Sequence, residues 1–272
     1  MAALLRELLE TFEEFWPVSG ADDWDAPGLV CGAPTQRVSR ILLTVDITDE
    51  VVDEAVNGGF DLIVAHHPLL LRGVKTVAEE TAKGLVLSKA IRANLAIFAA
   101  HTNADTVPRG VSAALAEAFG LRNIRPLVET GPQIGHGRIG NLELPTTLGA
   151  FAKAMARVLP PTASGVRVAG SFDSQIRNVA LCAGAGDSFI DSAYASGADV
   201  YITSDLRHHP VQEALERARA ERRTFSVIDI SHWAAEWIWL EWAGADIQGR
   251  FASVQVVVSE LRTDSWDFAV TQ

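Results

Sequence analysis

The sequence predicts an α/β protein made of two related lobes. Three observations predict it. Short β-branched runs alternate with helical patterns, the second half of the chain repeats the pattern of the first, and histidines cluster just past the predicted strands. Strands alternating with helices imply largely parallel sheets. In such sheets the functional crevice lies at the carboxyl ends of the strands.

Residues 1–10 read as an amphipathic helix. The runs 41–45, 62–65, 95–99, 179–182, 200–203 and 225–230 read as buried strands. Helical patterns cover 81–93, 111–119 (closed by Gly120), 147–159 and 211–219. The Gly- and Pro-rich stretch 121–139 reads as the linker between lobes, and 160–165 as a loop inside the second. The first lobe is placed at 1–125 and the second at 126–272. The C-terminal segment carrying His232 and Glu236 is the part of the second that can pack against the first.

The repeat is visible without gaps. Residues 41–55 lie on 179–193 and 59–64 on 197–202, keeping Asp49/Asp187, Asp53/Asp191, Gly59/Gly197 and Asp61/Asp199 in one register. After a shift, His101-Thr-Asn-Ala-Asp105 matches His232-Trp-Ala-Ala-Glu236. A degenerate duplication explains this better than the general likeness of α/β segments.

Composition excludes several classes. A chain of 272 residues with 48% hydrophobic content buries enough apolar surface to fold, which excludes disorder. Two cysteines, Cys31 and Cys182, exclude a disulfide scaffold and read as small buried residues. With 23 basic and 34 acidic residues, the net charge of −11 repels polyanions and makes nucleic acid a poor partner. No apolar stretch approaches the roughly 20 residues of a membrane span. The acid-bearing N-terminal helix is unlike a signal peptide. A soluble cytoplasmic protein is expected.

Four of the seven histidines form the pairs His66-His67 and His208-His209, and two head the His-x-x-x-acid units. His66, His67, His101 and His232 each follow a predicted strand, and Glu236 shares a helix face with His232 at i, i+4. Imidazoles and carboxylates without a thiolate cluster suit zinc, iron or manganese in a site other than a zinc knuckle. His66, His67, Asp105, His232 and Glu236 offer five ligands, enough for two divalent ions in an open site. Blander readings stand beside this one. Asp105 can cap the next helix, Glu236 can be a solvated helix acid, and His208 and His209 suit the lining of a cleft. Gly184-Ala-Gly-Asp-Ser188 is a tight turn before it is an anion cradle, lacking a full G-x-G-x-x-G pattern. Trp233, Trp237, Trp239 and Trp242 read as core or subunit interface. Ser231 lacks a nucleophile elbow.

These motifs, in order, resemble the Nif-three-like dinuclear-metal family, whose members are also called GTP cyclohydrolase 1 type 2 homologues. The resemblance runs through Trp24-Asp-Ala-Pro-Gly-Leu29, Ala65-His-His-Pro68, His101-Thr-Asn-Ala-Asp105, Gly137-Arg-Ile-Gly140, Thr203-Ser-Asp-Leu-Arg-His-His209 and Asp229-Ile-Ser-His-Trp-Ala-Ala-Glu236. It covers nearly the whole chain. Ala26-Pro27 replaces an Asn-containing step of the first motif, and His136 has no counterpart. The resemblance implies a two-lobed subunit with a dinuclear site in the cleft between the lobes, a toroidal homohexamer, and the short form of the family without an inserted domain. It places the ligands on the five residues already named.

The expected function is therefore a divalent-metal-dependent hydrolase acting on a small molecule, with a nucleotide suggested by the family name alone. Its two ions would be zinc, iron or manganese, and His101, His208 or His209 would move protons or bind the leaving group. The alternatives are a metal-binding assembly without turnover and a hexameric protein-interaction scaffold.

Overall fold

Short apolar runs form the central strands of two separate sheets in this computed structural model, which describes residues 2–271. The chain divides into two units, Met1–Val107 with Leu240–Thr263, and Pro108–Trp239 with Asp264–Gln272.

The first unit opens with strand β1 (Ala3–Leu4), helix α1 (Leu5–Phe15), β2 (Gly28–Cys31), β3 (Arg37–Val38) and β4 (Arg40–Thr44). It continues through α2 (Asp49–Asn57), β5 (Leu62–Ala65), α3 (Ala82–Arg92), β6 (Ala96–Ala99) and the short α4 (Thr102–Thr106). Helix α1 buries Leu5, Leu8 and Phe12, one face at helical spacing. Helices α2 and α3 start where Thr48 and Thr81 accept hydrogen bonds from Val51 N and Gly84 N. Strands β4, β5 and β6 are parallel, with Ile41 opposite Leu62 and Leu62 opposite Ala96, and β2 closes that edge antiparallel. Leu42, Val52, Ile63 and Ile97 lie at the centre of the core. Each such side chain contributes roughly 1.5–3 kcal/mol by leaving water.

The second unit runs through α5 (Val111–Ala118), β7 (Arg122–Gly131), β8 (Ile134–Thr147), α6 (Leu148–Val158), β9 (Arg167–Ala169) and β10 (Gln175–Ala185). Then come α7 (Ile190–Ala195), β11 (Val200–Ser204), α8 (His208–Ala220), β12 (Ser226–Asp229) and α9 (His232–Arg250). Its sheet order is β7-β8-β10-β11-β12-β9. Strands β10, β11 and β12 are parallel, with Val179 opposite Val200 and Val200 opposite Ser226, and β9 closes that edge antiparallel. Its core includes Ala180, Tyr194, Tyr201 and Val227. Helix α9 passes at Leu240 into the first unit. There β13 (Gln255–Val258) pairs parallel with β4, completing the order β13-β4-β5-β6-β2.

The mixed α/β class is as the sequence predicts, but three local expectations need correction. Residues 121–139 are not a linker; they supply most of the β7–β8 hairpin. Their glycines serve close packing: at Gly137 (φ +59°) a Cβ would come 2.7 Å from the Leu181 carbonyl oxygen. Pro126 is tolerated because β7 is an edge strand. Helix α8 starts at His208, not 211, because Pro210 falls in its first turn, where no intrahelical N–H is lost. The opening helix starts at Leu5, after a two-residue strand. Trp233 and Trp239 are buried, as a core role requires, and Cys182 is buried and unbridged. Among the described residues, no helix is long and apolar enough to cross a membrane.

Candidate functional site

In the first unit, β5 and β6 end side by side, and each delivers histidine at its carboxyl end. The ligand-capable ring nitrogens of His66, His67 and His101 lie within 4.8 Å of one another. Each ring is held through Nδ1: His66 by the Ala100 carbonyl at 2.8 Å, His67 by Asp46 Oδ1 at 2.7 Å, and His101 by Asp25 Oδ1 at 2.7 Å. Carbonyl and carboxylate oxygens only accept, so Nδ1 carries the proton in all three bonds and Nε2 is the ring atom that can coordinate. This is how metal-binding histidines are held. Asp105 joins the group, its Oδ1 lying 3.8 Å from His66 Nε2. That separation is too long for a hydrogen bond but fits two donors facing one cation.

Local sequence explains the corner after β6. The backbone N–H of His101 donates to Asn103 Oδ1, and Asn103 Nδ2 donates to the Trp16 carbonyl. Asp105 therefore sits inside α4, one turn beyond His101, and does not cap α5, whose N-cap is Gly110. Asp25 also accepts from Thr102 N and Oγ1. Although burial opposes its charge, these bonds and the His101 ring hold its carboxyl well below the usual range.

In the second unit, His232 opens α9 and Glu236 lies one turn on, with His232 Nε2 2.9 Å from Glu236 Oε1. His232 Nδ1 meets Asp205 Oδ2 at 2.6 Å. Asp205 reaches it from a left-handed backbone conformation (φ 56°) that aspartate tolerates better than most residues. Both ring nitrogens face acceptors, so the ring carries two protons. Burial opposes this charge, but the Glu236 charge and the two hydrogen bonds raise its pKa to about 11. Glu236 is buried, which removes the solvated-acid reading.

Gly184 (φ +74°) lies against this pair, and a Cβ there would come 2.6 Å from Glu236 Oε1 and 3.3 Å from His232 Nε2. Hydroxyls of β11 hold the turn, Thr203 donating to the Gly184 carbonyl and Tyr201 to the Gly186 carbonyl. Ser231 has an ordinary role: its Oγ accepts from Ala234 N at the start of α9 and donates to Asp264.

His208 and His209 are exposed in the first turn of α8, their rings 5.2 Å apart. His136 stacks on Phe189 at 5.5 Å. The functional residues that the sequence reading missed are Asp25, Asp46 and Asp205, which orient histidines 76, 21 and 27 positions away along the chain. The Trp24-Asp25 pair was the one available signal. His101, expected to move protons or bind the leaving group, stands with His66 and His67.

The profile of a family described as Duf34/NIF3 (NGG1p interacting factor 3) matches residues 3–265. The chain belongs to the DUF34/NIF3 family. A Streptomyces coelicolor member named GTP cyclohydrolase 1 type 2 homolog is 45% identical over 270 residues, covering 96% of this chain and 93% of that protein. A Mycobacterium tuberculosis relative of the same name is 30% identical over 376 aligned residues, covering 98% of this chain and 97% of that protein. An alignment longer than this chain means that the mycobacterial member carries residues absent here. Among solved structures of the family, a Bacillus cereus protein related to NIF3 superposes with a TM-score of 0.89 at 25% identity, covering 98% of this chain and 99% of that one. Staphylococcus aureus protein SA1388 follows at 0.86 and 26%, with the same coverage.

Proposed function

We propose that the protein is a divalent-metal-dependent hydrolase with a dinuclear centre, its ligands being His66, His67, Asp105, His232 and Glu236. The observation that carries this reading is the first unit's trio of imidazoles, each fixed through Nδ1 by a carboxylate or carbonyl and set close enough together for the group to hold a metal ion. The donors fit the group: imidazole nitrogens and carboxylate oxygens without thiolate suit zinc, iron or manganese. Bound divalent ions supply Lewis acidity and lower the pKa of water for attack on an electrophilic carbon or phosphorus.

The chain's residues do the rest. Asp46, Asp25 and Asp205 orient the rings. Glu236, buried beside His232, supplies negative charge where cations bind. His101 is the proposed proton carrier, because Asp25 fixes its tautomer and direction. The exposed His208 and His209 are better suited to contacting the leaving group. The names of the relatives point to GTP as a substrate. We carry over a homohexamer and a small-molecule, nucleotide-like substrate from the family resemblance. The shared strand order of the two sheets supports a duplication behind them.

The test measures metal content and turnover together on wild type, His66→Ala, His232→Ala and Glu236→Gln. The reading expects about two ions per wild-type chain, loss of ion from the alanine variants, and hydrolysis by wild type of at least one compound in a nucleotide and phosphoester panel. Unchanged metal content in both alanine variants sinks the ligand assignment. A metal-loaded wild type inert on the whole panel sinks the hydrolase and leaves a metal-binding protein.

A further inference from the structure

Trp24 stands beside the histidine trio and has no part in holding it. Its indole is 61% exposed, one of the largest apolar side chains left to solvent in the first unit. The ring meets His101 edge-on, with centroids 5.8 Å apart and planes at 82°. His101 in turn packs edge-on against His66 and His67 at 5.2 and 5.4 Å. The indole therefore adjoins the same rings that offer the nitrogen donors.

The backbone presenting it is clamped. Residues 22–25 form a turn closed by Asp25 N donating to the Asp22 carbonyl. Both ends of the turn are tied to Thr102, whose hydroxyl accepts from Asp22 N and donates to Asp25 Oδ2. The other Asp25 oxygen binds His101 and accepts from Ala26 N. Trp24 thus rides on a turn pinned to His101 and Thr102, the residues that start α4. An exposed indole on so fixed a mount has lost its backbone freedom before any ligand arrives, which favours stacking. A single exposed aromatic alone means little. One held by five hydrogen bonds next to a cluster of donors is a platform.

We infer that Trp24 is a specificity-determining residue that stacks on a planar heteroaromatic ring of the ligand while the ligand's anionic oxygens are held at the histidines. The inference rests on the proposed metal centre for those oxygens, but the stacking half rests on Trp24 alone. The ligand class is a heteroaromatic ring joined to a phosphate, and a sugar phosphate without the ring gains nothing from the indole.

The experiment compares binding of a purine nucleoside monophosphate and of ribose 5-phosphate to metal-loaded wild type, Trp24→Ala and Trp24→Phe by calorimetry, with metal content measured on each sample. Loss of one base–aromatic stack costs about tenfold in affinity. Trp24→Ala should weaken the purine ligand by about that factor, leave ribose 5-phosphate and metal content unchanged, and be largely rescued by Trp24→Phe. Equal weakening of both ligands, an unchanged purine affinity, or no purine binding to wild type would each overturn the inference. A failure of the metal centre itself shows separately, as wild-type protein that takes up no ion.

Discussion

The two sheets share a plan and differ at one end. In each, three parallel strands run in chain order and an antiparallel strand from the preceding segment closes the far edge, β4-β5-β6-β2 and β10-β11-β12-β9. The register agrees as well, Ile41 on Leu62 and Val179 on Val200. Past the strands the chemistry parts. Strand β5 is followed by His66 and His67, while Ser204, the last residue of β11, and Asp205 after it hold the equivalent places. Strand β4 pairs with β5 without interruption and leads to Asp46, which holds His67. Strand β10 is irregular between Leu181 and Ala185, and there Gly184 makes room for Glu236. The first unit thus sets its rings with Nδ1 protonated and Nε2 able to coordinate, whereas the second holds a doubly protonated imidazolium against a carboxylate. To take up a cation, His232 must first release a proton.

The sharpest way to break that contrast is at the ligands. Gly184→Ala puts a methyl into the space of Glu236 Oε1 on a left-handed backbone. It should lower thermal stability and remove at least one ion per chain, as read by calorimetry and elemental analysis. Asp46→Ala mimics the second unit's lack of an acid at that point and leaves His67 unoriented. It should weaken metal binding by about 10–100-fold, measured by competition with a chelator, while the fold persists by circular dichroism.

The third test uses pH. The folded pKa of His232 is raised to about 11 from the ordinary 6.5. The pair with Glu236 therefore contributes stability that is fully present below pH 6.5 and is lost as pH rises toward 11. In metal-free protein the melting temperature of wild type should fall toward that of Glu236→Gln between pH 7 and 11. A gap that stays constant over that range refutes the pair's role. The smallest effect is a helix cap. Thr48 caps α2, and the matching position before α7 is Gly186, which has no side chain to do so. Thr48→Ala should cost about 1 kcal/mol in urea unfolding, without change in metal content.

The sequence made the central strands legible because β-branched runs such as Leu62–Ala65 have no other stable use at that length. The helix starts at Thr81 and Thr147 were equally readable, since a threonine before a helical pattern satisfies an orphan N–H. The β7–β8 hairpin was hidden because its glycines, which permit close approach to β10, look like linker residues in a one-dimensional reading. The histidines could be found from their place after strands. Their orienting acids could not, since Asp25 and His101 become neighbours only when the antiparallel β2 brings the segment before it to the end of β6.

Strand β13 has a bearing on how the protein is made. Gln255–Val258 pairs with Arg40–Leu43 across more than two hundred residues, so the first sheet lacks this edge strand until the ribosome has passed every strand of the second. Every element of the second sheet lies between those partners in the chain. Of the two sheets, the one whose strands emerge earlier is therefore the later to be completed, and while the second is being made the outer edge of β4, bearing Ile41 and Leu43, waits for its neighbour. Nascent chains of this protein carry an open strand edge of the kind that chaperones shield.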